Sequence, residues 1–564
     1  MKDFVPEKLY TKEGESLRGI PWNEYPRPQM VRKDWLCLNG EWSFCFEGDD
    51  PVSIRVPFCP ESLLSGYTGS IEYGRKMRYE KVFTVPPEWS GKRILLNFGA
   101  VSRSCEVFIN GKAAAGNDNG YLPFSADITD LLLYGENLLT VTAVNDLSTQ
   151  YPYGKQKKDR GGMWYTPVSG IWQTVWLEPV PDKHISGIRI DADLRSAQIE
   201  IKGVSDGTVY FEGREQKFRD GRIKLVPESP RLWTPEDPYL YRFTVTSGED
   251  EIESYFALRT VTTETINGKP RICLNGKPYY FNGLLDQGYF SDGLYTPGSP
   301  DLYAEDIKNL KELGFNTLRK HIKIEPMRFY YECDRLGMIV FQDMVNNGIY
   351  SFRRDTLWPT IGLRKINDAH TNTDTKSRSI FLESMRDTVR HLYNCPCIVL
   401  WTIFNEGWGQ FEADKAYDLL KALDPSRLID STSGWFHQKN TDVDSLHIYF
   451  GKLKLGKRRD LPQLLSEFGG YVYKIEGHSF NPVKTYGYKL FKTKEDFIKA
   501  FRKVFLEELV PLAELGLCGS VYTQVSDVED ETNGILTYDR KLCRLTPADT
   551  EGISSKLNGA VNKL

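Results

Sequence analysis

From about residue 263 to the C-terminus, short apolar runs alternate with amphipathic helical stretches, and this alternation narrows the fold more than any other feature of the sequence. Residues 303–313 put Ile307, Leu310 and Leu313 on one helical face and stop at Gly314. A strand over 316–319 follows, then a helix over 326–336 stopped by Gly337, then a strand over 338–343. The same rhythm predicts helices over 376–394, 415–423 and 495–515, and strands over 398–404, 428–431, 445–449, 464–467 and 520–523. About 300 residues of such repeats predict a (β/α)8 TIM barrel for residues 263–564. A doubly wound sheet is the alternative, but it needs a Gly-rich phosphate loop after its first strand, and the sequence has none there.

The preceding residues have a different period. Residues 1–181 carry short apolar and β-branched segments, such as 93–98, 105–109 and 138–144. Turn residues separate them, including Asn110-Gly111 and the run Asn117-Asp118-Asn119-Gly120. Residues 170–177 read as one strong closing strand, and the whole predicts a β-sandwich. Residues 182–262 are a smaller unit with strands predicted over 184–191, 197–201, 207–211, 239–246 and 253–257. A unit of about eighty residues of this kind suits an immunoglobulin-like sandwich.

Composition enters where it excludes something. A formal charge of -4 gives no sign of a nucleic-acid or membrane partner, and the basic stretch 155–160 reads as a solvated loop. The ten Cys include no CxxC pair, which speaks against zinc or redox chemistry and for buried thiols in a reducing compartment. The N-terminal MKDFVPEKLY has no charged start followed by an apolar run. No stretch approaches the roughly 18 apolar residues of a membrane span. The expectation is a cytoplasmic enzyme.

In a (β/α)8 barrel, reactive residues gather at the C-terminal ends of the strands. Arg319 and His321 end one predicted strand, and Asp343 ends the next. Asn405 and Glu406 follow the apolar run 398–404, His447 and Tyr449 end another strand, and Glu467 ends the strand after it. Several polar groups at one buried rim are costly unless they satisfy one another. Two carboxylates facing one pocket suit glycosidic cleavage, in which one is protonated to assist the leaving oxygen and the other is ionised to attack. A separation of about 5–5.5 Å means retention of configuration, and about 6.5–9.5 Å means inversion.

These residues carry a family resemblance over nearly the whole chain. Trp401-Thr402-Ile403-Phe404-Asn405-Glu406-Gly407-Trp408-Gly409 and Ser466-Glu467-Phe468-Gly469 resemble the acid/base and nucleophile strands of glycoside hydrolase family 2, the β-galactosidases, β-glucuronidases and β-mannosidases. Residues 107–112 and 135–139 look like that family's jelly-roll sugar-binding domain, and residues 232–241 like its immunoglobulin-like domain. The resemblance implies a retaining exo-glycosidase with Glu406 as acid/base and Glu467 as nucleophile. It also implies that Asn405 contacts the sugar 2-hydroxyl, that Arg319 orients the nucleophile, that His321 touches the sugar and that Tyr449 lies beside Glu467. Tyr522 takes the position where the family usually has Trp. Asp286, in a run that departs from the family's, either hydrogen-bonds sugar hydroxyls or serves as a cap. His447 is a further sugar-side candidate, and Trp435 is either a stacking platform or loop packing.

The departures bear on the substrate. Residues 342–348 lack the Glu and His by which large β-galactosidases hold magnesium, so no metal or other cofactor is expected. The Asn-x-Lys of typical β-glucuronidases is not seen after Tyr522. A β-galactoside is the default substrate, with β-glucuronide, β-galacturonide, β-mannoside and α-L-arabinoside as alternatives. Dimers or tetramers are common in the family. The competing class is a carbohydrate-binding protein with an inactive barrel, and the presence of both carboxylates speaks against it.

Overall fold

The structure, a computed structural model, describes residues 5–563. Two antiparallel sheets face each other in the first unit. One holds Leu36–Cys37, Val175–Val180, Arg93–Phe98 and Phe124–Asp127, and the other runs Val52–Val56, Gly40–Phe46, Met77–Thr84, Glu136–Val144, Ser104–Ile109, Lys112–Asn117. Alternation makes the core: in Gly40–Phe46 every second residue is buried, and Trp42, Phe44 and Phe46 meet Ile54, Leu96, Val107 and Val141. Asn110 and Gly111 both take positive φ (51° and 78°), the turn that a tight right-twisted hairpin needs.

The closing strand differs from its sequence reading. It breaks into Gly170–Ile171 and Val175–Val180. Between them Trp172 leaves the sheet, donates from Nε1 to the Gly120 carbonyl (2.8 Å), and packs against Tyr121 and Tyr295 under the barrel's edge. Burial of the indole against a second unit outweighs the local strand propensity.

The second sandwich pairs Gly187–Ala192, Ala197–Lys202 and Arg222–Leu225 with Arg214–Phe218, Gly207–Phe211, Tyr241–Ser247 and Asp250–Phe256. Arg214–Phe218 and Arg222–Leu225 were not expected, because their mostly polar residues carry little alternation. Arg32 ties the N-terminal segment to both sandwiches, pairing with Asp250 (2.8 Å) and Glu178 (3.1 Å).

A short antiparallel sheet, Val261–Ile266, Lys269–Leu274 and Lys277–Pro278, leads into eight parallel strands. These are β1 (Phe281–Asp286), β2 (Thr317–Lys320), β3 (Ile339–Asp343), β4 (Ile398–Asn405), β5 (Leu428–Ser433), β6 (Asp444–Ile448), β7 (Gln463–Gly469) and β8 (Leu517–Thr523). The ladder runs from β5 back through β1, across to β8 and on to β6. Across the remaining gap, Ser445 Oγ on β6 donates to Asp430 on β5 (2.9 Å). Every residue of these strands is buried, as a sheet covered on both faces requires. The helix Met327–Leu336 ends where Gly337 takes a left-handed conformation (φ 75°), beside Pro235, whose carbonyl would lie 2.4 Å from a Cβ there. None of the ten Cys is disulfide-bonded. Among the described residues no helix is long and apolar enough to cross a membrane.

Candidate active site

The polar residues that end the barrel strands converge on one guanidinium. Arg319, fully buried on β2, donates to Asp343 Oδ1 (3.0 Å), Glu467 Oε1 (3.0 Å), the Ser466 carbonyl (3.1 Å) and Asn405 Oδ1 (2.7 Å). A planar fork of five donors suits this, holding carboxylates from β3 and β7 and an amide from β4 in one plane.

Glu467 is buried, and Tyr449 donates its hydroxyl to Glu467 Oε2. Burial pushes this carboxyl up, but the basic side chains facing it, His447 first and then Arg319, outweigh it and hold it down to about 2. Glu467 is therefore an ionised carboxylate at neutral pH. Tyr449 stacks face to face on Tyr488 (3.6 Å, 10°), which fixes its ring.

Glu406 sits differently. It follows the last residue of β4 with φ 54°, a left-handed conformation that costs a non-glycine residue about 1–3 kcal/mol. Its backbone is held on both sides: Glu406 N–H donates to the Ser433 carbonyl (3.0 Å), and Trp435 Nε1 donates to the Glu406 carbonyl (3.0 Å). Gly407 continues the bend at φ 73°, where a Cβ would lie 2.2 Å from the Phe436 ring. The carboxyl thus turns to the rim, 23% exposed against 6% for Glu467.

His447 bridges the two acids. Its Nδ1 lies 2.7 Å from Glu406 Oε1 and 3.6 Å from Glu467 Oε2, while Nε2 faces Arg319 Nη1 at 3.3 Å. Nε2 also meets Ser433 Oγ (3.2 Å), so the ring is held on both of its nitrogens. One donor atom each from Glu406, His447 and Glu467 lie within 4.8 Å of one another. This is the one cluster among the described residues with metal-ligand spacing. Arg319 already supplies a positive charge beside Glu467, and a second cation would meet it there. Activity is accordingly expected to survive EDTA; loss that magnesium restores would overturn this.

His321 accompanies the pair one step out, its Nδ1 2.8 Å from Asp343 Oδ2. Burial and the charge of Lys155 push it down to about 4, so it is a neutral imidazole. Asn405 is held through its carbonyl oxygen, which leaves its amide donor for a ligand. Trp435 packs edge-on against His447 (5.6 Å) while bracing Glu406.

Asp286 and Tyr522 lie outside this constellation. Asp286 is the register partner of Lys320, not of Arg319, so it points to the helix side of the sheet. There it pairs with Lys320 Nζ (2.5 Å) and accepts from Gly288 N–H (2.9 Å). Tyr522 is fully buried behind β7 and β8 among Phe468, Phe501 and Phe505, and its hydroxyl accepts from Tyr471 N–H (3.1 Å). Thr523, one residue on, is the side chain from β8 that meets Tyr449 (3.2 Å).

Several residues at the rim were not singled out in the sequence. Trp408 forms an aromatic cluster beside Glu406 with Trp164 (4.9 Å) and Tyr350 (5.8 Å), and Trp164 and Tyr153 come from the first sandwich. The stretch 155–160 is solvated only in part: Lys157, Lys158 and Asp159 are exposed, while Arg160 pairs with the buried Glu529 (3.4 Å) and Lys155 is half-buried at the barrel mouth. No local pattern marks these positions, because the barrel they complete begins about a hundred residues later.

A barrel whose strand ends gather two carboxylates around one arginine, preceded by two β-sandwiches, defines a class of multidomain carbohydrate-type barrel proteins. The family models for "Glycosyl hydrolases family 2" match in sequence order: the sugar binding domain at residues 69–181, the central domain at 182–259 and the TIM barrel domain at 266–542. The chain belongs to glycosyl hydrolase family 2. A β-galactosidase of Thermoanaerobacter pseudethanolicus is 26% identical over 79% of this chain and 61% of its own length. A β-glucuronidase of Bacteroides fragilis is 26% identical over 71% of this chain and 61% of its own. The chain thus spans less than two thirds of these relatives. Among solved structures, a β-D-glucuronidase of Dictyoglomus thermophilum superposes with a TM-score of 0.72 at 20% identity, covering 96% of this chain and 99% of that one.

Proposed function

We propose that this chain is a retaining exo-glycosidase that works through a covalent glycosyl-enzyme. The observation that carries this reading is a pair of unlike carboxylates, one buried and ionised and one at the rim, with His447 Nδ1 2.7 Å from one and 3.6 Å from the other. Glu467, ionised and aimed by Arg319 and Tyr449, attacks the anomeric carbon. A bond forms from its carboxylate oxygen to C1 as the bond from C1 to the aglycone oxygen breaks. Glu406, at the open rim, gives its proton to that departing oxygen. In the second half, Glu406 takes a proton from water, which attacks C1 and releases Glu467.

The surrounding groups serve those two steps. His447 Nδ1 holds one oxygen of Glu406 and leaves the other for the transferred proton. Asn405 offers its amide to the sugar 2-hydroxyl, a contact that strengthens as charge develops at C1. His321 offers a neutral ring to a further hydroxyl, and Trp435 borders the pocket. The cluster of Trp164, Tyr350 and Trp408 beside Glu406 suits an aglycone with an apolar face.

β-Galactosides are the first substrates to try. The named relatives include β-galactosidases and β-glucuronidases at similar identity, so they support the glycosidase reading without favouring either sugar. The test is a panel of 4-nitrophenyl glycosides combined with 2-deoxy-2-fluoroglycosyl fluorides. Label on the peptide containing Glu467 and first-formed product of retained configuration are expected. Label on another residue, or an inverted first product, would overturn the reading.

A further inference from the structure

The first sandwich sends a loop into the barrel mouth, and Tyr153, Gly154 and Gln156 fasten it there. Tyr153 N–H donates to the Asn346 carbonyl (3.1 Å), and its hydroxyl donates to the Gly348 carbonyl (2.8 Å) and accepts from Trp408 Nε1 (3.0 Å). Gly154 lies so close to the chain after β2 that a Cβ would sit 3.2 Å from the Ile322 carbonyl. Gln156 is buried and held by Tyr121 (2.8 Å) and Tyr295 (3.2 Å). The Lys155 carbonyl accepts from Tyr165 N–H (2.9 Å), and Tyr165 donates its hydroxyl to the buried Glu531.

The lysine's own side chain is held only loosely. Its ammonium lies 5.8 Å from the Tyr165 ring centroid and makes no hydrogen bond or ion pair among the described residues. Lys157 lies 5.3 Å from the Trp164 ring, on the side of the aromatic cluster, and the buried cations nearby are paired. Arg319 is bound to Asp343 and Glu467, Lys320 to Asp286 and Glu325, Lys323 to Glu325, and Arg160 to Glu529. The surroundings of Lys155 are fixed by geometry: Tyr165, whose ring it lies over, donates to Glu531 in the loop after β8, and Gly154 meets the chain just after β2. Lys155 is thus seated on the β8–β1–β2 side of the barrel mouth, while Asn405 and Glu406 leave β4 with β3 between.

A half-buried ammonium on an anchored backbone at the barrel mouth, with no acceptor among the described residues, is complementary to an anion that the protein does not itself supply. The geometry points to Lys155 as a specificity-determining, substrate-contacting residue, contributed by the first sandwich, that receives the carboxylate of an acidic sugar. This rests on the glycosidase reading and adds the class of sugar: a glycosiduronic acid over its neutral counterpart.

The test compares matched 4-nitrophenyl pairs, β-D-galacturonide with β-D-galactoside and β-D-glucuronide with β-D-glucoside, on the full-length protein and its Lys155→Met and Lys155→Arg variants. In the unaltered protein kcat/KM is expected to favour the uronide of at least one pair. In Lys155→Met the ratio of uronide to neutral kcat/KM for that pair is expected to fall about 100-fold, and Lys155→Arg is expected to recover most of it. An electrostatic or structural effect exerted through Glu467 would lower both members alike and leave the ratio unchanged; that result overturns the assignment. Preference for the neutral sugars in the unaltered protein overturns it too, while leaving the glycosidase reading intact. A folded protein that turns over none of a broader glycoside panel and takes no fluoroglycosyl label removes the glycosidase reading, and this inference with it.

Discussion

Replacing Glu467 by Gln is expected to cut turnover of nitrophenyl glycosides by about four orders of magnitude, roughly 5–6 kcal/mol of transition-state stabilisation. The amide keeps the shape and one acceptor toward Arg319, so the fold should hold, while the attacking charge is gone. A smaller side chain, in Glu467→Gly, opens room for azide to attack C1 from the same face. The glycosyl azide formed that way has inverted configuration, because one displacement replaces two. Glu406→Gln makes the complementary contrast, losing most on substrates with poor leaving groups, where proton transfer matters most. Near-native turnover by Glu467→Gln, or an azide product of retained configuration, would remove Glu467 from the nucleophile's role.

The parts legible in the sequence were those written in periodicity. The strand–helix alternation after residue 263 marked most of the barrel strands within a few residues, because a strand covered on both faces must be an apolar run. Glu406 and Glu467 stood out for the same reason: each is a charge placed where such a run stops. The parts that stayed hidden depend on register or on distance along the chain. Arg319 and Lys320 are adjacent, and only the pairing with β1 decides that Asp286 shares a face with the lysine. Tyr522 and Thr523 pose the same question on β8, and the threonine is the one that reaches Tyr449. Lys155 read as part of a solvated basic loop since nothing local shows that the backbone on either side of it is anchored to the barrel. Trp172 broke a segment that reads as a continuous strand because its partners, Tyr121 and Tyr295, lie about 50 and 120 residues away in the chain.

Arg319→Met is expected to damage stability and chemistry together. The guanidinium is 1% exposed and compensates two carboxylates that are themselves buried, so its removal leaves Asp343 and Glu467 without their shared cation. Stranding buried charges in this way costs about 3–5 kcal/mol. The sign of the pH effect follows from Glu467. In the folded protein it sits at about 2, below its ordinary value of 4.5, so its charge stabilises the fold above the ordinary value, and that contribution is lost as pH falls toward 2. Asp343 is also lowered, burial being outweighed by Arg319 and His321. Without Arg319 both carboxyls rise. The variant should therefore melt at a lower temperature near neutral pH, with the difference shrinking as the solution is acidified. The acid limb of its kcat/KM profile should move to higher pH, because Glu467 must be ionised to attack. Thermal melts across pH and a kcat/KM profile on one nitrophenyl glycoside measure the two effects. A lower melting temperature with an unmoved acid limb would make Arg319 a structural tie alone, and only the shift of that limb marks it as the group that sets the nucleophile's charge.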